Sequence, residues 1–220
     1  MNWGILLLVV GAGLVAALIG LFWPYLNPES PFWAQQRLLE LVRTWGEVRD
    51  LKAAVTVLRP GEPLLRVRLF YLAGAAVRLE VEEPPELAGE VYTLRPVAEG
   101  WLLVHLRPRL ALGLEARFSD AEFKALFSSF AQAQGDVRWH EGNAFVWRGQ
   151  IGPYHQAEVH VGGEFSLPQR IVLHEPEGTL TELQISWLGV NEGMELRELL
   201  ILDPFPTRWI RIPVLLAPGA

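Results

Sequence analysis

Residues 64–83 read LLRVRLFYLAGAAVRLEVEE. Apolar residues at alternate positions on either side of Ala73-Gly74-Ala75 predict two antiparallel strands, Leu64 to Leu72 and Ala76 to Glu83, joined by a tight turn centred on Gly74. Pairing Leu69 with Leu79 and Val67 with Val81 sets Arg68 opposite Glu80 and Arg66 opposite Glu82. One face is then apolar and the other a ladder of opposite charges, whereas a one-residue slip would set arginines against leucines. Val67, Leu69, Leu79 and Val81 are therefore expected to point inward. Arg78 is expected to face solvent, and Glu80 and Glu82 to belong to a solvated charged face rather than to an acid–base pair.

The same period of two extends in both directions. Val48 to Leu58 precedes this hairpin, and Glu90 to Val97 and Trp101 to Leu106 follow it, separated by Pro60-Gly61-Glu62-Pro63, Pro84-Pro85 through Gly89, and Glu99-Gly100. Short connections between consecutive strands predict an antiparallel meander. Before the meander, Ser30 as N-cap and Pro31 open an amphipathic helix carrying Trp33, Leu38, Leu41, Val42 and Trp45 and ending at Gly46. After it, Ser119-Asp120-Ala121-Glu122 is a capping box that opens a second helix to about Ala133, with Phe123, Leu126, Phe127 and Phe130 on one side. Strands are expected again at Val137 to His140, Ala144 to Gln150, Tyr154 to Val161, Arg170 to His174, Thr179 to Leu188 and Glu195 to Leu202. The fold class is α+β: a strongly curved antiparallel sheet of about 11 strands with two helices against it.

Trp3 to Phe22 contains no charged side chain. About 20 residues at roughly 1.5 Å rise match the hydrocarbon thickness of a bilayer, so residues 1–23 read as an N-terminal transmembrane helix, retained as an anchor or cleaved as a signal segment. Residues 24–30, with Pro24 and Pro28, form a linker, and 31–220 form the folded domain. Arg37, Arg43 and Arg49 follow the span with nothing basic before it, a count that by itself would keep the domain in the cytoplasm.

Composition narrows the chemistry. The chain has no cysteine, which removes thiol catalysis and thiolate metal sites, and a formal charge of −6 offers no basic footprint for nucleic acid. His140-Glu141 lacks the second histidine of a zinc-protease helix, and His155 and His160 have opposite strand parity. There is no G-x-S-x-G and no phosphate-cradling glycine loop. No catalytic residue, metal or cofactor is therefore expected, and the chain is not expected to be an enzyme.

Surplus apolar area stands out instead, with nine tryptophans and ten phenylalanines. Trp101-Leu102-Leu103-Val104 and Phe145-Val146-Trp147 are apolar on both faces. Either both faces are covered by protein, or part of the concave face lines a cavity for an apolar ligand. The expected lining is Val67, Leu69, Leu79 and Val81, with Trp101 and Leu103 or else Leu102 and Val104, partly covered by Phe123 and Phe127.

Three stretches resemble the LolA-like outer-membrane lipoprotein carriers and their LolB and RseB-type relatives. Ala76-Val77-Arg78-Leu79-Glu80-Val81-Glu82-Glu83-Pro84 is similar to the family's strand ending in acidic residues and proline. Leu103-Val104-His105-Leu106-Arg107-Pro108, after Glu99-Gly100, resembles its "DG…LWxYxP" strand. Leu167-Pro168-Gln169-Arg170-Ile171-Val172-Leu173, with Glu175-Pro176-Glu177-Gly178-Thr179 and the strand through Trp187, resembles its "LP…DPDG" hairpin. The resemblance implies a half-open antiparallel barrel with helices packed on its concave side, acyl chains of a lipoprotein or lipid as ligand, and a domain outside the cytoplasmic membrane, tethered by residues 1–23 or soluble in the periplasm after cleavage. It also implies an alternative, an RseB-like sensor or envelope scaffold that binds a partner protein. Ala73-Gly74 replaces the carriers' basic residue and proline, and Val104 and His105 replace aromatic residues, so a lid-latching arginine is not carried over.

Overall fold

The computed structural model describes residues 40–41, 43–123, 134–140, 144–151, 154–163, 166–200 and 206–212. Strands β1 (Asp50–Leu58), β2 (Leu65–Leu72), β3 (Ala76–Glu83), β4 (Val91–Val97), β5 (Gly100–Arg107) and β6 (Leu112–Phe118) follow one another, with a 3-10 turn, η1 (Pro108–Leu110), before β6. A second run comprises β7 (Gln134–His140), β8 (Ala144–Ile151), β9 (Tyr154–Gly162), β10 (Leu167–His174) and β11 (Leu180–Val190). A short helix, α1 (Leu196–Leu199), and β12 (Arg208–Ile212) come last.

All twelve strands form one sheet in the order β12-β6-β5-β4-β3-β2-β1-β11-β10-β9-β8-β7. Each run is an antiparallel meander, and β11 returns to pair with β1, so the first strand lies inside the sheet with a neighbour on each side. Register shifts at Lys52/Ala53, Arg66/Val67, Pro168/Arg170 and Arg148/Ile151 are irregularities of the kind that bend and twist a sheet, consistent with a curved one. β12 joins β6 in parallel, which makes the sheet mixed rather than wholly antiparallel as expected.

The hairpin register holds from Val67 to Leu72 and departs from the expected pairing at Arg66. Leu69 faces Leu79, Val67 faces Val81 and Arg68 faces Glu80. The shift after Arg66 then carries that residue past Glu82 to Glu83, to which it is bonded at 3.2 Å. Arg68 Nε donates to Glu82 at 2.8 Å on the same exposed face.

Parity builds two different faces. The row Phe145–Val159–Ile171–Leu183–Val57–Leu65 runs across six strands, and every member is buried in one continuous core. Leu41 belongs to the same core and Trp45 packs against it, as expected of these two positions; the rest of that helix's apolar face, Trp33, Leu38 and Val42, lies outside the described residues. Trp45 Nε1 is fixed there by the Ser166 carbonyl at 3.0 Å.

The outer face is not uniformly solvated. Val91, Leu102, Val104 and Leu106 form a second apolar cluster on it, and Ala76, Met194 and Leu199 form a third with Phe70 and Leu72 beneath α1. Arg78 is a correction: it is 7% exposed, with Nε on Glu80 at 2.8 Å and Nη1 on the Leu199 carbonyl at 3.1 Å. The local alternation places it outward correctly, but α1, more than a hundred residues later, closes over it.

The path into α1 is held by Asp50, which is buried and accepts the amides of Glu192 and Gly193, each at 3.0 Å. Two strands escaped the sequence reading, β6 and β12, and one expected strand, Glu195 to Leu202, is helical over Leu196–Leu199. Leu196, Leu199 and Leu200 recur at three and four residues, a helical spacing. Ser119 and Glu122 form the expected capping box, with the Ser119 amide on Glu122 Oε2 at 2.7 Å and the Glu122 amide on Ser119 Oγ at 3.2 Å. Residues 120–123 are helical, and the remainder of that helix, Phe127 included, lies outside the described residues. So does the span over residues 1–23. Among the described residues no helix is long and apolar enough to cross a membrane.

Candidate functional site: the apolar inner face

Successive cross-strand pairs carry the inner face from the core to the sheet edge. One row is Leu69–Leu79–Tyr92–His105–Leu114–Ile210, and its neighbour is Val77–Leu94–Leu103–Ala116–Ile212. These rows decide what the sequence left open on β5: Trp101 and Leu103 share the face of Leu79, while Leu102 and Val104 lie in the outer cluster.

Exposure grades along the rows. Val67, Leu69, Leu79 and Val81 are 5%, 1%, 6% and 2% exposed and belong to the core itself. Trp101, Leu103 and Leu114 are half-buried, and Trp101 stacks on Phe123 with ring centroids 4.2 Å apart and planes at 12°. The expected site thus divides into a filled floor on β2 and β3 and a partly open flank on β5 and β6. Fully burying side chains like those of the floor is worth about 1.5–3 kcal/mol each, so the floor is first of all a source of stability.

Sequence reasoning passed over a buried polar group beside this flank. Glu90 is 6% exposed and accepts from the Tyr92 hydroxyl, His105 Nε2 and Arg107 Nε, each at 2.9 Å. Tyr92 and His105 also stack, with centroids 4.0 Å apart. Burial pushes the Glu90 carboxyl up, but the hydrogen bonds from His105, Tyr92 and Arg107 and the charge of His105 outweigh it and hold the group below its ordinary value of 4.5. Burial first, and then the Glu90 charge, pushes the Tyr92 phenol far above its ordinary 10.0. Both Glu90 oxygens are occupied by donors, so the carboxylate pins β4 to β5 rather than offering a base. The available signal was parity: Glu90 and Tyr92 on one strand, His105 and Arg107 on the next, each two residues apart.

Elsewhere the histidines are dispersed. His155 meets His174 edge-on at 6.2 Å, and His160 contacts Glu158 on the charged outer face. Among the described residues no group of three or more His, Asp or Glu side chains could hold a metal.

No family model and no curated protein sequence matches the chain. Solved structures do. A conserved, uncharacterised protein of Thermus thermophilus is similar over 82% of this chain and 99% of its own, with a TM-score of 0.57 and 16% identity. The Mycobacterium tuberculosis lipoprotein LppX matches over 76% of this chain and 100% of its own, at TM-score 0.44 and 10% identity. A LolA superfamily protein of Nitrosomonas europaea matches over 76% and 98%, at TM-score 0.41 and 11% identity. The Thermus structure establishes a shared fold.

Proposed function

We propose that this chain is a binding protein of the cell envelope whose inner face holds acyl chains of a lipoprotein or lipid by burial, without covalent chemistry. One observation carries the reading: the inner face grades from a sealed core at Leu69 and Leu79 to a half-open apolar flank at Trp101, Leu103, Leu114 and Phe123. Withdrawing a few hundred Å2 of acyl surface from water at about 25 cal/mol per Å2 supplies several kcal/mol, enough for retention without a polar anchor. The LolA-like stretches support the same ligand class and a domain outside the cytoplasmic membrane, with residues 1–23 as its tether. Carbonate-resistant membrane association checks the tether, and a mature protein beginning at Leu18 would replace it with a soluble periplasmic form.

The test of the ligand uses the flank. Leu103→Glu places a charge among apolar groups where solvent still reaches, so the fold survives while acyl-probe affinity drops by about tenfold or more. Ser186→Glu, exposed on the outer face of β11, is the control and leaves affinity unchanged. Mass spectrometry of organic extracts from native protein should find stoichiometric acyl species. Equal probe binding by both folded variants, with no acyl species extracted, would overturn the reading.

A further inference from the structure

The edge of the sheet at β6 and β12 combines positive charge with exposed apolar side chains. Leu110, Trp209, Ile210 and Ile212 are 59%, 38%, 38% and 45% exposed, four of the eight large exposed hydrophobics among the described residues. They are brought together because the amides of Thr207 and Arg208 both donate to the Ala111 carbonyl, at 3.0 and 3.1 Å, which sets the start of β12 against η1. Arg109, Arg208 and Arg211 stand exposed among them. Glu115 faces Arg211 at 3.7 Å, and the buried Glu90 is held by Arg107. In a chain whose formal charge is −6, the described residues of this edge, Arg109, Arg208 and Arg211 with Glu115, carry a positive balance.

We propose that the β6–β12 edge docks on the surface of a bilayer containing anionic lipid. Arginines there meet lipid phosphates, and Trp209, Ile210, Ile212 and Leu110 enter the headgroup boundary, the division of labour that interfacial segments use. Ile210 and Ile212 end the two inner-face rows, so docking sets the open end of the apolar face against the bilayer. An acidic peptide would be matched by the arginines, but not by four exposed apolar side chains beside them.

Because the chain contains no cysteine, Ile210→Cys can carry a single environment-sensitive fluorophore, with Ser186→Cys on the outer face as reference. Labelled full-length protein is reconstituted into phosphatidylcholine vesicles with and without phosphatidylglycerol, and quenching by bilayer-embedded nitroxide lipid is measured. With phosphatidylglycerol, quenching at position 210 should exceed that at 186 by about twofold or more, and Arg109→Glu with Arg208→Glu should abolish the excess. Equal quenching at both positions overturns the proposal. So does an excess indifferent to phosphatidylglycerol, shielding of position 210 that follows protein concentration without lipid (a second copy on the edge), or shielding by polyglutamate but not by vesicles. Leu103→Glu, which weakens acyl binding on the inner face, should leave the excess at position 210 unchanged; an excess lost in Leu103→Glu would report acyl uptake instead and overturn the docking proposal, so the two readings fail separately.

Discussion

Glu90 is one of the few buried carboxylates in the described part of the chain, and its three donors make it a source of acid sensitivity. Its folded-state pKa lies below the unfolded value, so its contribution is complete above about pH 5 and is lost as pH falls through the folded-state value. Glu90→Gln should therefore flatten the acid limb of a plot of stability against pH, measured by urea unfolding between about pH 3 and 7, and cost on the order of 1–3 kcal/mol at neutral pH. Arg78 poses the opposite problem, a buried cation that holds Glu80 and the last carbonyl of α1. Replacing it with Glu sets two carboxylates together under the helix and should cost about 3 kcal/mol or more, releasing α1 in hydrogen exchange. Arg78→Glu is thus a probe of the helix contact and not a neutral control. Neither role could be read at its own position: Glu90 depends on β4 lying beside β5, and Arg78 depends on a helix encoded far downstream.

The hairpin of β2 and β3 was legible because charged and apolar residues alternate along Arg66–Leu69 and Arg78–Glu82, which favours one register over that stretch. β6 was equally readable in principle, since Leu112, Leu114, Ala116 and Phe118 alternate with Gly113, Glu115 and Arg117. β12 was not readable in the same way. Its five residues are all exposed, so burial imposes no period, and its partner is parallel and distant in sequence. What admits it is Gly113, where a Cβ would lie 2.7 Å from Cε3 and Cζ3 of the Trp209 ring. Gly113→Ala should push that ring away and speed amide exchange across Arg208–Ile212, leaving β2 and β3 protected, at a cost of about 1–3 kcal/mol. Adding Trp209→Ala to Gly113→Ala should restore part of that loss, since the clash has then gone. Gly100 is tighter still: its φ of +121° and a Cβ position 2.2 Å from the Phe118 carbonyl oxygen exclude any side chain from the turn into β5.

Across the whole molecule, the two meanders share one core through β1 and β11. Ile185, Val55, Val67 and Val81 form a single row over that seam, so neither run buries its apolar face independently. Unfolding should be cooperative. Val55→Ala, at the centre of the row, should lower the urea midpoints seen by tryptophan fluorescence and by far-ultraviolet circular dichroism equally, at a cost of about 2 kcal/mol. Separate midpoints would show that the meanders unfold independently. The same seam has a consequence for synthesis. Once β1 has left the ribosome, its free hydrogen-bonding edge has no partner until β11, which begins at Leu180, has been translated. At roughly 5–20 residues per second, the stretch between them takes on the order of 6–24 s. For that interval the nascent chain carries an open strand, rich in valine and alanine, at what will become the middle of the sheet. Polypeptides terminated before Leu180 never cover it, which makes them the natural clients of a holding chaperone.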